Sequence, residues 1–255
     1  MRSLTVLALL GCSSTGLPAW TAPPAGSDAA LLTQFETYLE EVERTGYTGV
    51  VALQLGERAA IVGLGDADAE AATPFDEETL VPIGSLTKGV LGVVFAQLAA
   101  EGAVDINQPL DDLVGDALPV PGDKADLTLH ELLTHAAGFD PSLGPDAEQI
   151  DRARFWERAM AAPLSGRGRF RYSNVGYSVA AIALETATGT SHQAHLRRMM
   201  DEAGIETLRY DIAAENRGAL AIGYEGDRRW GTILDLPRLE DGPGWNLRGN
   251  GGLLA

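Results

Sequence analysis

The segment that most restricts how this chain can fold is Ser85-Leu86-Thr87-Lys88 and the run behind it to Gly102. Val90, Leu91, Val93, Val94, Phe95, Leu98, Ala99 and Ala100 leave the run without a polar face, and the pattern predicts a helix buried on all sides. Such a helix needs protein around it, so other elements must pack against it. With 255 residues and 45% hydrophobic composition, the chain is long enough to supply them.

Ahead of this segment, Leu31, Leu32, Phe35, Tyr38, Leu39 and Val42 recur at three and four, predicting an amphipathic helix from Ala29 to Arg44 that ends at Gly46. The β-branched-rich runs Thr48 to Leu55 and Ala59 to Leu64, separated by Gly56-Glu57-Arg58, predict an antiparallel hairpin. Beyond the long run, Asp126 to Thr134, Gln149 to Ala161, Asn174 to Thr188 and Ser191 to Ala203 read as further helices between Gly and Pro loops. The expected fold is therefore α/β followed by a mostly helical region: residues 29–104 form the α/β part with the long helix, and 105–255 the helical part.

The N-terminus has a different character. Met1-Arg2, the apolar run Leu4 to Leu10 and Gly11-Cys12 read as an export signal. Leu9-Leu10-Gly11-Cys12 resembles the bacterial lipobox, which makes Cys12 the candidate lipid anchor. Residues 1–12 are then the signal, and 13–28, rich in Ser, Thr, Pro, Ala and Gly, a flexible tether. The alternatives are cleavage near Ala19, a start codon placed too far downstream, and a segment that stays unprocessed and buried. The expected location is the periplasm or cell envelope, with membrane contact only through that anchor. A formal charge of −17 repels phosphate backbones and argues against nucleic acid as a partner.

Two groups of residues carry chemistry. In the first, Ser85 and Lys88 lie at i and i+3 in the opening turn of a helix, about 5–6 Å apart at Cβ. The helix N-terminus favours negative charge developing on the serine oxygen and disfavours a protonated lysine. Lowering a lysine from about 10.4 to near 7 costs roughly 4–5 kcal/mol, which an apolar setting imposes. Only Lys88 and Lys124 are lysines among the 19 basic residues. In the second group, Tyr172-Ser173-Asn174 offers a phenol and a carboxamide where a helix opens. Arg167, Arg169 and Arg171 alternate just before it, placed either to lower the phenol's pKa and hold a substrate carboxylate or to form a solvated face. Asn174 is equally suited to capping its helix.

Metal sites are weaker readings. His130-Glu131-Leu132-Leu133-Thr134-His135 falls one residue wide of the zinc helix motif, because positions i and i+5 lie about 140° apart around a helix. His192 and His195 have better spacing but no further ligand beside them. Asp66, Asp68, Glu70 and Glu77 faintly resemble a calcium loop, without its turn glycine and with Pro74 intervening, so a solvated acidic loop is expected. No metal or organic cofactor is expected.

Taken in order, ETLVPIGSLTKG, LAAEGAVDINQPL, LTLHELLTHAAGF, RFRYSNVGYSVAAIALETATG and RGNGGLLA make the chain resemble the serine β-lactamase-related hydrolases: class C β-lactamases, DD-peptidases and penicillin-recognising esterases. The resemblance runs from about residue 30 to the end. It implies an antiparallel sheet flanked by helices and an acyl-enzyme reaction on an ester or amide: a β-lactam, a D-Ala peptide or a simple ester. It further implies that Ser85 is the nucleophile, Lys88 its proton acceptor, Tyr172 the general base and acid, and Asn174 a substrate-binding side chain, with the Ser85 N–H as one oxyanion donor. The family pattern continues past its Gly-Gly-Leu segment into another helix and closing strands, one carrying a Lys- or His-containing triad. No such triad stands here, so the expectation is a chain lacking the C-terminal strands. The competing reading is a non-catalytic tethered module that binds peptidoglycan-like peptides or a protein partner.

Overall fold

A computed structural model describes residues 4–12, 28–55, 58–210 and 214–255. They divide into two units, 1–81 with 214–232, and 82–213 with 233–255. The first boundary between these units lies just before the Ser85 helix, and residues 214–232 return to the first unit.

In the first unit, β1 (Leu4–Cys12), β2 (Thr48–Leu55) and β3 (Arg58–Leu64) form an antiparallel sheet in that order. The expected hairpin is β2–β3, with Val51 opposite Val62 and Leu55 opposite Arg58; its turn, Gly56-Glu57, lies outside the described residues. α1 (Asp28–Arg44) has the expected amphipathic face: Phe35, Leu39 and Val42 share a core with Tyr47, Val51, Leu53 and Leu64. Leu4–Cys12, read above as part of an export signal, forms the strand β1, with Cys12 in register with Thr48. The tether expected over 13–28 lies outside the described residues apart from Asp28.

Two short antiparallel pairs complete this unit, β4 (Asp66–Asp68) with β5 (Thr73–Pro74) and β6 (Gly223–Glu225) with β7 (Arg228–Gly231). In the acidic loop, Asp68 Oδ1 accepts the N–H groups of Glu70 and Ala71, at 3.0 and 3.1 Å, and the Tyr224 hydroxyl at 3.0 Å. Those bonds, the one from Ala71 foremost, hold the Asp68 carboxyl below its ordinary pKa. The carboxylate thus shapes a turn.

The second unit is helical: α2 (Leu86–Ala100), α3 (Leu110–Val114), α4 (Leu129–Leu133), α5 (Arg152–Ala161), α6 (Asn174–Thr188) and α7 (His192–Ala203). Three helices start later than the apolar pattern suggests, because a cap fixes each first turn. Thr128 and Glu131 form a reciprocal capping box on α4, Asp151 caps α5, and Ser191 caps α7.

The helix buried on every side is α6, and α2 is a correction. Every residue from Val175 to Leu184 is buried, and α3, α4, α5 and α7 pack around them. Small side chains allow this: a Cβ on Gly176 would stand 3.0 Å from the Leu132 carbonyl oxygen. On α2, Leu91, Val94, Phe95 and Leu98 are buried, whereas Leu86 is 47% and Val93 56% exposed. Uniform hydropathy showed that α2 has no polar face but not how many faces would meet protein.

Gly63 on β3 gives a direct test of packing, since a Cβ there would lie 1.9 Å from the Phe75 carbonyl oxygen. Gly63→Ala is expected to destabilise the fold by about 1–3 kcal/mol, read as a lowered urea midpoint at unchanged m-value.

Candidate active site

Ser85 stands at the N-cap of α2, just after Gly84, whose φ of +52° suits the tight entry that glycine tolerates. Lys88 follows one turn on, 5% exposed. Its Nζ donates to Ser85 Oγ at 3.1 Å and to the Asn250 carbonyl at 2.6 Å. Tyr172, just before α6, donates its hydroxyl to Ser85 Oγ at 2.7 Å, and the Lys88 nitrogen lies 4.9 Å from the centre of its ring. The serine oxygen is thus shared between the amine and the phenol.

The electrostatics follow from this enclosure. Burial lowers the Lys88 pKa, with Tyr172 and the charge of Asp146 partly opposing. For Tyr172, burial alone raises the phenol, and the neighbouring Lys88 and Ser85 together bring it below its ordinary value. Both groups are displaced toward the range where each can take or return a proton. The Ser85 N–H stands at the N-cap of α2, the end of a helix that favours negative charge.

Ser173, not Asn174, caps α6: its hydroxyl accepts the Gly176 N–H and donates to the Asp140 carbonyl at 2.7 Å. The capping role open to Asn174 is therefore excluded. Its main-chain N–H donates to the Pro141 carbonyl at 2.9 Å, and its buried Oδ1 has no hydrogen-bond partner among the described residues. No contact joins the Asn174 side chain to Ser85, Lys88 or Tyr172 among the described residues, and Cys12, on β1, belongs to the other unit.

Of the two readings open for the arginine cluster, an exposed face fits Arg167 and Arg169, and two of the three arginines are ion-paired. Arg167 binds both carboxylate oxygens of Glu131, at 2.7 and 2.8 Å, and Asp126 at 2.6 Å, while Arg171 pairs with Asp140 at 2.6 Å. These partners fasten the segment leading to Tyr172, and no arginine contributes to the phenol's lowered pKa.

In the zinc-like motif, Glu131 is occupied by Thr128 and Arg167, and His135 lies beyond the end of α4. His135 has a different place, not foreseen in the sequence. At φ +60° it turns its ring against Tyr172, 4.5 Å between centres, and its Nδ1 accepts the Ser173 N–H at 3.1 Å. Burial and the Lys88 charge hold it below the ordinary histidine pKa, consistent with a neutral ring. His192 Nδ1 contacts Glu185 at 2.6 Å and His195 Nε2 contacts Thr188 Oγ1 at 3.0 Å, so this pair is engaged separately.

The sequence model of the family described as Beta-lactamase matches residues 10–255. This chain belongs to the β-lactamase family. Esterase EstB of Burkholderia gladioli is 29% identical over 191 residues, covering 67% of this chain and 48% of the esterase. A class C β-lactamase structure from Rhodobacter sphaeroides aligns with a TM-score of 0.68 at 23% identity over 90% of this chain and 62% of the other. A β-lactamase/D-alanine carboxypeptidase structure from Pseudomonas syringae aligns with 0.71 at 20% identity over 89% and 62%. These structures establish the β-lactamase/DD-peptidase fold, and the chain spans about half to three-fifths of the length of these relatives.

The buried lysine has a consequence for stability. A lysine with a depressed folded-state pKa binds its proton less readily than in the unfolded chain, so its destabilising contribution is full below the folded value and fades as pH rises toward about 10.4. Lys88→Met is therefore expected to raise the denaturation midpoint at pH 7, with the gain shrinking as pH approaches 10. A gain that grows with pH would contradict the assignment.

Proposed function

We propose that this chain is a serine hydrolase working through an acyl-enzyme on an ester or amide, with simple esters and peptides ahead of β-lactams. The observation that carries the reading is the shared serine oxygen, contacted by Lys88 Nζ at 3.1 Å and Tyr172 Oη at 2.7 Å. The esterase relative supports the preference for esters.

In this mechanism neutral Lys88 or ionised Tyr172 takes the Ser85 proton as Oγ attacks the substrate carbonyl. Negative charge on the carbonyl oxygen develops near the Ser85 N–H and the start of α2. Collapse of the tetrahedral intermediate breaks the ester or amide bond, and Tyr172 delivers the proton to the leaving group. Water, deprotonated by the same pair, then attacks the acyl-serine and restores Oγ–H. Asn174, whose side-chain nitrogen carries two amide hydrogens, is suited to donate to the carbonyl of an amide flanking the scissile bond.

Export and a lipid at Cys12 belong to the same proposal. Cleavage before Cys12 would remove Leu4 to Gly11, so such processing and the full β1 strand are exclusive states of the segment. Mass measurement of the N-terminal peptide from cells separates them.

A fluorophosphonate probe and a labelled penicillin are expected to modify the chain at Ser85, with no label on Ser85→Ala. Tyr172→Phe should slow labelling about 100-fold or more. An unlabelled wild-type chain, or equal labelling of Ser85→Ala, would overturn the hydrolase reading and favour a binding module.

A further inference from the structure

Lys88 can act as a base only if its lone pair meets the Ser85 hydroxyl. A neutral amine carries two N–H donors and one lone pair, and rotation about Cε–Nζ distributes them freely unless something fixes one position. The Asn250 carbonyl does so at 2.6 Å: a carbonyl only accepts, so one N–H must point there. Ser85 Oγ, at 3.1 Å, both donates and accepts, and the proton can pass only at that contact.

That carbonyl is held by a buried network whose side-chain hydrogen bonds reach none of the reacting groups. Asn250 lies between Gly249, at φ +78°, and Gly251, in the loop after Trp245. Its Nδ2 gives one hydrogen to Ser178 Oγ at 2.8 Å and the other to the Asn246 carbonyl at 2.8 Å. Ser178 in turn donates to the Arg248 carbonyl at 2.7 Å. Ser178 is 0% and Asn250 1% exposed, and each sits where α6 carries the loop. A Cβ on Gly249 would lie 2.9 Å from the Tyr177 carbonyl oxygen, so loop and helix already meet at backbone contact. Three hydrogen bonds in a dry setting therefore decide where one main-chain oxygen stands.

We propose that Ser178 and Asn250 are positioning residues that act through the Asn250 carbonyl to aim the Lys88 lone pair at Ser85. The proposal rests on the reading of Ser85 and Lys88 as nucleophile and base. The other groups that bear on Lys88 are Tyr172, Tyr177, His135 and Asp146, and none belongs to this network.

Because the chain has only two lysines, 13C-lysine NMR of the full chain resolves Lys88 from Lys124, with Lys124→Arg assigning the pair. Lys124 is buried beside Asp123 and reports the fold independently. Ser178→Ala and Asn250→Ala each leave the main-chain carbonyl in the chain but unfasten it. Losing an acceptor that favours the ammonium form should move the Lys88 midpoint further down, while fluorophosphonate labelling slows about 10- to 100-fold. A more easily deprotonated yet slower lysine is the signature that mere loss of stability would not give. Ser178→Thr keeps the hydroxyl and should restore both readouts; it also serves if an alanine variant fails to fold. Unchanged Lys88 midpoints in the folded alanine variants, or an alanine-like midpoint in Ser178→Thr, would overturn the proposal. If wild type takes no label, the hydrolase reading fails, and the lysine midpoints still judge the positioning.

Discussion

The packing of α6 is the constraint on which the helical unit depends. Ten consecutive buried residues, Val175 to Leu184, give the helix no solvent face, so its neighbours must supply apolar surface or hydrogen bonds on every side. Two polar demands inside that shell are met by elements that matter to the site. Ser178 takes the loop at Asn250, and Tyr177 donates its hydroxyl to the Leu133 carbonyl at the end of α4. Tyr172 enters on the same helix, one residue before its Ser173 cap. Of the groups converging on Ser85, Tyr172 and the Asn250 loop are thus held against this buried helix, while Lys88 comes from α2.

Lys88 shows what that placement costs. An amine enclosed by Tyr172, Tyr177 and a main-chain carbonyl gives up hydration that a surface lysine keeps, and the displaced pKa is the sign of it. Stability given up at such a buried polar site has to be offset by the core elsewhere. Here the compensation includes Phe95 on α2, Phe155 and Trp156 on α5, and Phe139, all 1% exposed.

What could be read in the sequence, and what could not, follows the range of each interaction. Ser85 and Lys88 were legible because their relation is local, one turn of one helix. Tyr172 was legible through its motif, and the hairpin β2–β3 through β-branched runs around a glycine turn. The role of the arginines stayed open in the sequence because their partners lie far along the chain: Arg167 is 36 residues from Glu131 and 41 from Asp126. The carbonyl of Asn250 carries no side-chain signature at all, and its role comes from a contact with Lys88 162 residues away. His135 looked like a failed zinc ligand until its positive φ turned it toward Tyr172.

The scarcity of lysine has one more consequence. With Lys88 at 5% and Lys124 at 2% exposure, the native fold withholds both lysines from solvent. A lysine-specific endoproteinase or an amine-directed crosslinker would find no side chain to act on until the helical unit opens. Cleavage after Lys88 or Lys124 is therefore a built-in clock for unfolding of the region around the site, read without any label attached to the chain.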